Sequence, residues 1–384
     1  MGKLKILVIP SWYPNKKDPL WGNYFIKQTE ALSSYADVSM LYINRDSVKH
    51  PINYFNDKGN DGYYDDKYPF KFYEKTILNF RSVSLNFSYK RYAKEAYKAY
   101  KSLELFTGKP DIIIAMSALP AGLAAKYISD KENIPYVVHA HSEGIMINPE
   151  YKDYVFSIIK DANGYMAVNE SLKKIIESKR KDCYLVPNFI ECDKFSIGEK
   201  DKNDFVLLSV SNFYKAKAID ILLRALDIVV NKKGNKNVKL KIVGTGEYKD
   251  YYESVTRSLN LNDNVTFLGY VDNDKLPEIL SSSNALCVSS TFETFCIPII
   301  EAFASGIPVI TTDCVGPLEI VNEDNAIVTP INDVEKYADA ILKMIKDYNK
   351  YDSKKIKDYA FKRYDKSVVC KQIIDICNKI KTSK

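Results

Sequence analysis

A chain of 384 residues with 55 Lys and Arg against 49 Asp and Glu carries a formal net charge of +6. Its hydrophobic fraction of 46% and charged fraction of 27% fit a soluble globular protein of about two or three domains, which excludes a disordered chain, a collagen-like fibre and a coiled-coil rod. Seven scattered cysteines, an odd number without a C-x-x-C pair, argue against a disulfide scaffold or structural zinc and favour a reducing compartment.

The opening segment MGKLKILVIP places two lysines before an apolar run too short for a signal-peptide core, and reads as a first buried strand over 5–10. Further strands are predicted over 38–43, 111–115, 136–139, 164–168 and 184–186, with helices over 23–35, 121–131 and 150–162. The Tyr-, Asn-, Asp- and Gly-rich stretch 45–80 has no clean period and reads as a long excursion on this first domain. The apolar run 112–125 is broken by Pro120 and falls short of the ~20 residues that a spanning helix needs. The second half repeats the scheme. Its strands are predicted over 205–210, 238–243, 265–268, 285–288, 308–311 and 326–328, and its helices over 219–230, 248–258, 275–281 and 298–305. Continuous apolar strands require a parallel sheet covered on both faces. Alternation of strand and helix implies right-handed βαβ units, hence an α/β chain with two Rossmann-like, doubly wound sheets. The polar stretch 191–204 marks the joint, giving an N-terminal domain over 1–190 and a C-terminal domain over 191–360. A closing helical pattern, predicted as one helix over 361–384, crosses back to the first domain. Ligands of open α/β sheets sit outside the carboxyl ends of the strands, and the expected site is a cleft between the two domains.

The segment STFETFCIPIIEAFASGIPV, from Ser290 to Val309, follows a buried strand. Pro298 suits the first turn of a helix, Gly306 stops it and Pro308 starts the next strand. The helix start would present the backbone N–H groups of Thr294, Phe295, Cys296 and Ile297 as an anion site. Glu293 lies just before the helix and Glu301 one turn inside it, where a carboxylate can accept the hydroxyls of a ribose while the helix end holds a diphosphate.

These residues resemble the retaining nucleotide-sugar glycosyltransferases of family 4, which have the GT-B fold and an E-x7-E segment of this kind. LVPNFIECDKF from Leu185 looks like the family's linker phrase, and SVSNFYKAKAIDILLRA from Ser209 like its donor-phosphate loop. LKIVGTGE from Leu240, which holds Gly244 and Gly246, and NVTFLGYV from Asn264 are similar to its next two strand ends. The resemblance implies that Lys217 binds the donor diphosphate, a point cation suited to a departing nucleoside diphosphate where no metal is present. It implies that Glu293 lies near the sugar, that Glu301 holds the ribose and that Gly22 approaches the donor phosphate or acceptor. Asn212 stands where the family has an arginine, so that either the helix N-terminus compensates for the lost charge or Lys215 substitutes. Thr294 and Cys296 stand where it has glycines. His139 and His141 alternate onto one strand face, but no third and fourth ligand has fitting spacing, so no metal is expected. The family's contact with the transferring sugar falls on His141.

Other signals are weaker. G-x-G at Gly244 lacks the third glycine of a nicotinamide site, and Asp272-Asn-Asp274 reads as a helix N-cap rather than a metal motif. Asn23 reads likewise as an N-cap, after a turn at Gly22. No Ser-His-Asp or Cys-His set points to a hydrolase. From Arg81 to Lys109 there are seven basic and two acidic residues, 7 − 2 = +5, and Lys90, Arg91, Lys94, Lys98 and Lys101 share one side of a helix. That face is either solvated or docks to anionic lipid, each cation contributing about 1 kcal/mol near such a surface. No nucleic-acid-binding module is evident.

The resemblance therefore implies a metal-independent retaining glycosyltransferase without a cofactor. It would move a sugar from a nucleotide donor, expected to be UDP-linked, to a glycan or lipid-linked glycan in assembly of a cell-surface polysaccharide. It would be cytoplasmic, either free or peripheral at the inner face of the cell membrane. The alternatives are a sugar-nucleotide epimerase on the same scaffold and a non-catalytic nucleotide- or glycan-binding relative.

Overall fold

A computed structural model of the chain describes residues 2–15, 21–48, 51–141, 149–180 and 182–382. Parts of two quoted phrases, 16–20 before Gly22 and 142–148 after His141, lie outside the described residues. The chain forms two compact units, Met1–Pro187 with Cys370–Lys384, and Asn188–Val369. These units part after Pro187 and after Val369.

The first unit is built on eight strands: β1 (Lys5–Pro10), β2 (Asp37–Ser47), β3 (Gly62–Tyr64), β4 (Lys71–Asn79), β5 (Ile112–Met116), β6 (Tyr136–Ala140), β7 (Gly164–Ala167) and β8 (Cys183–Leu185). Their order is β3-β4-β2-β1-β5-β6-β7-β8, parallel throughout except for the antiparallel β3–β4 pair. The central strands β5 and β6 are buried at every position, as a sheet covered on both faces demands. The helix Leu85–Thr107 packs Tyr92, Ala96, Ala99, Tyr100 and Leu103 inward, its alanines allowing a close approach.

The stretch 45–80 is more regular than its composition suggests, since it holds the helix Pro51–Lys58 together with β3 and β4. β4 alternates buried and half-buried side chains over most of its length, but the buried position 74 carries a glutamate, which breaks the apolar period. The closing pattern also differs from the single helix expected. Two helices, Ser353–Tyr364 and Lys366–Thr382, are separated by Asp365 in an extended conformation. There the Ile190 N–H donates to the Tyr364 carbonyl (2.9 Å) and the Lys366 N–H to the Ile190 carbonyl (2.9 Å), while the Asp365 carboxylate accepts from the Ser367 N–H (2.9 Å). Farther on, Gln372 donates to the β8 carbonyl of Leu185 (2.6 Å) and Lys381 pairs with Asp111 (2.8 Å).

The second unit has six parallel strands: β9 (Phe205–Val210), β10 (Val238–Val243), β11 (Val265–Gly269), β12 (Ala285–Val288), β13 (Val309–Thr312) and β14 (Ala326–Thr329). Their order is β11-β10-β9-β12-β13-β14. Chain order therefore reverses between β9 and β12 here, and between β1 and β5 in the first unit. Such switch points open crevices at the strands' carboxyl ends. Among the described residues no helix is long and apolar enough to cross a membrane.

Candidate functional site

In the second unit, the loops after β9 and β12 meet at the switch point. The Thr291 N–H donates to the Ala216 carbonyl (2.8 Å) and the Ser289 hydroxyl to the Lys217 carbonyl (2.9 Å), which ties the two loops together. The tie fixes the backbone of Lys217 at the end of a short 3-10 turn, and its ammonium lies 2.5 Å from Glu293 Oε1. The Ser290 hydroxyl donates to that same oxygen (3.0 Å). Below, the Thr312 hydroxyl holds the Ser290 carbonyl (2.5 Å) and the Gly316 N–H the Glu293 carbonyl (3.1 Å). The two charged side chains retain 22% and 14% exposure, enough for a ligand to reach them.

Glu293 is followed by the helix Ile297–Ala304, with Pro298 in its first turn and the half-buried Glu301 one turn in. Thr294 is half-buried and Phe295 buried, its ring edge-on to Tyr364 at 5.9 Å. Cys296 caps the helix in a left-handed conformation (φ 73°, ψ 74°). Burial, and then the neighbouring Glu293, holds its thiol well above the ordinary range; Cys287 is pushed up to about 12 and Cys314 is raised too. These cysteines therefore stay protonated at neutral pH and supply no thiolate nucleophile.

Asn212 and Lys215 are exposed on the loop after β9. Gly244 and Gly246 pack against that loop and support it. A β-carbon at Gly244 would meet the Ser211 carbonyl oxygen at 1.8 Å, and one at Gly246 the backbone of Phe213 at 2.8 Å. Both have positive φ, and the Phe213 N–H donates to the Thr245 carbonyl between them (2.8 Å). Their visible role is to let β10 press the loop into place. The Asp272-Asn-Asp274 stretch does not supply the expected cap, because the helix Leu276–Ser281 starts at Lys275 without a side-chain cap.

In the first unit, Gly22 (φ 75°) rather than Asn23 caps the helix Asn23–Ser33. Tyr24 and Phe25 of that helix bring their rings to 5.3 and 5.1 Å from His141, which is 8% exposed after β6. His139 lies behind it, rings 4.2 Å apart. His139 donates from Nε2 to the Val186 carbonyl (3.1 Å) and accepts at Nδ1 from Gln28 (2.9 Å), and burial pulls its pKa down to about 4. It is a neutral, fully partnered histidine, which leaves no lone pair for a metal. Among the described residues no group of three or more His, Cys, Asp or Glu is placed to hold a metal ion. Ser290 is the added residue of this site, and its i,i+3 spacing to Glu293 is the signal for it in the sequence. Gln28 gave none.

Two parallel-sheet α/β units in one chain, with an acid–cation pair set at the switch point of the second, define a GT-B glycosyltransferase architecture. A family model described as "Glycosyl transferases group 1" matches residues 192–363, and one described as "Glycosyltransferase Family 4" matches residues 56–194. Together they run over most of the sequence, and the chain belongs to the group 1, family 4 glycosyltransferases. It is 30% identical over 258 residues to an uncharacterized glycosyltransferase of Methanocaldococcus jannaschii, across 59% of this chain and 61% of that one. The match thus spans less than two thirds of that relative. Among solved structures it is similar to a sucrose-phosphate synthase from Thermosynechococcus elongatus (TM-score 0.76, 17% identity, all of both chains). It is also similar to HepE of Anabaena in a complex with UDP (TM-score 0.72, 18% identity, 98% of this chain and 100% of that one).

Proposed function

We propose that the protein is a retaining glycosyltransferase that moves a sugar from a UDP-linked donor to a glycan or lipid-linked glycan acceptor, without a metal ion, in the assembly of a cell-surface polysaccharide. The observation that carries this reading is the Lys217–Glu293 pair, held by two stitched loops at the β9/β12 switch point beside the start of the helix bearing Glu301. Resemblance to the family and the UDP bound by HepE support the choice of donor.

In this reading the diphosphate lies against Lys217 and the start of the helix Ile297–Ala304, while Glu301 accepts the ribose hydroxyls. Lys217 has three N–H donors, so it can keep one on Glu293 and turn others to phosphate. The bond from the sugar's anomeric carbon to the phosphate oxygen breaks, and the cation stabilises the charge that develops on the leaving oxygen. An acceptor hydroxyl attacks on the same face, forming the new glycosidic bond, and its proton passes to the departing phosphate. Glu293 faces the sugar and the developing positive charge. His141, at the carboxyl end of β6, contacts the transferring sugar.

Lys217→Ala and Glu301→Ala should each abolish release of labelled sugar from UDP-glucose, UDP-galactose or UDP-N-acetylglucosamine, by about 10²-fold or more, in protein that melts like the wild type. EDTA should leave the wild-type rate unchanged. Full turnover in both variants would overturn the site assignment. A new sugar nucleotide formed without acceptor would favour an epimerase, and UDP binding without turnover a non-catalytic relative.

A further inference from the structure

His139 makes more directional contacts than a histidine filling a core requires. Its side chain is fully buried, and the Val186 carbonyl against Nε2 can only accept, so that nitrogen carries the hydrogen. Nδ1 is then a lone pair, which fixes the amide of Gln28 with its NH₂ group toward the ring. Gln28 is also fully buried, and its Oε1 has no hydrogen-bond partner among the described residues. An unpartnered buried oxygen costs about 1–3 kcal/mol, so the amide is held in this orientation for the sake of one tautomer of His139. The backbone is fixed as well, the Ser117 N–H donating to the His139 carbonyl at 2.8 Å.

The centre of this locked ring lies 4.2 Å from that of His141, closer than the rings of Phe25 and Tyr24 at 5.1 and 5.3 Å. We propose that His139, with its tautomer set by Gln28, is a positioning residue that orients His141 for contact with the transferring sugar. This inference rests on the role given to His141 above.

The chain has only three histidines, so ring ¹⁵N spectra of selectively labelled protein report His139 and His141 directly. His139 should appear as the neutral Nε2–H form in the wild type. Gln28→Met keeps side-chain length and removes the donor; His139→Gln removes the ring. Each should alter the ring ¹⁵N shifts of His141. Each should also lower kcat for labelled UDP-sugar turnover by about tenfold or more, the scale on which second-layer partners of a working histidine act. KM and UDP affinity should be unchanged, and Gln28→Met, which exchanges one unpaired atom for another, should melt close to wild type. Wild-type His141 resonances and kcat in folded Gln28→Met would overturn the inference. So would a kcat loss that merely tracked falling stability and UDP affinity. His141→Ala separates the two claims: full turnover there removes the role on which the positioning depends. If that variant is inactive while Gln28→Met and His139→Gln behave as wild type, only the positioning fails.

Discussion

Cys296 holds a backbone conformation that favours glycine, with φ at 73°, immediately before the helix that carries Glu301. A β-carbon in left-handed geometry is unfavourable by about 1–2 kcal/mol, and glycine escapes that strain. Ordinarily alanine is the more stabilising of the two small residues, by roughly 0.5–1 kcal/mol in regular structure. At position 296 the order should invert. Both Cys296→Gly and Cys296→Ala lose the buried sulfur, but only the glycine variant also sheds the strain, so it should melt a few degrees higher. A higher melting temperature for the alanine variant would show that the cap is not left-handed in solution. The same position illustrates what spacing reveals about the site. E-x7-E around Pro298 sets two acids about a helix start, and the missing glycine was visible as a departure. The Lys217–Glu293 contact is hidden in the sequence, because it joins loops 76 residues apart, whereas the Ser290 hydroxyl on the same oxygen lies only three residues from Glu293. Gly244 and Gly246 illustrate a related point: a strand-end glycine looks the same in sequence whether it admits a phosphate or a neighbouring loop, and here an added β-carbon would meet Ser211 and Phe213.

Among the elements, strands that are continuously apolar were legible almost to the residue, whereas β4 was not, and Glu74 is the reason. Its carboxyl faces inward, 7% exposed, and burial lifts it to about 7 from an ordinary 4.5; Lys67 at 3.8 Å opposes the lift only in part, while Asp61 and Asp57 add to it. Between pH 4.5 and 7 the folded protein therefore binds more protons at this site than the unfolded chain. Since stability changes with pH as the unfolded minus the folded proton count, it falls as pH rises through this window and stays low above it. Near neutral pH the ionised carboxylate thus destabilises the fold, on the order of 2–3 kcal/mol. Glu74→Gln removes the titration. Its gain in melting temperature over wild type should be larger at pH 8 than at pH 5 in parallel thermal scans. A gain independent of pH, or larger at pH 5, would mean that Glu74 is solvated and that β4 does not cover it.

At the scale of the whole molecule the charge is uneven, and the structure reduces what a count along the basic helix suggests. Lys98 is paired with Glu95 and Lys101 with both Glu104 and Glu132, while Arg91 lies over the Phe80 ring at 5.4 Å. Lys90 and Lys94 are exposed and make no ion pair among the described residues. Val83 and Phe87, at the start of the same helix, are 74% and 53% exposed. On a surface of anionic headgroups the unpaired cations would gain from the lipid charge while the apolar groups would leave solvent. At about 1 kcal/mol per cation, replacing both Lys90 and Lys94 by alanine should weaken partitioning onto phosphatidylglycerol-containing vesicles by about 2 kcal/mol, or roughly thirtyfold at low salt. Neutral phosphatidylcholine vesicles should not distinguish the variant from wild type, and raising the salt to about 1 M, where the screening length is near 3 Å, should abolish the difference. UDP binding, which the proposal assigns to the other unit, serves as an internal control and should be unchanged. Equal partitioning of wild type and the double variant onto anionic vesicles at low salt would leave this helix as a solvated face, with the acceptor reached by other means.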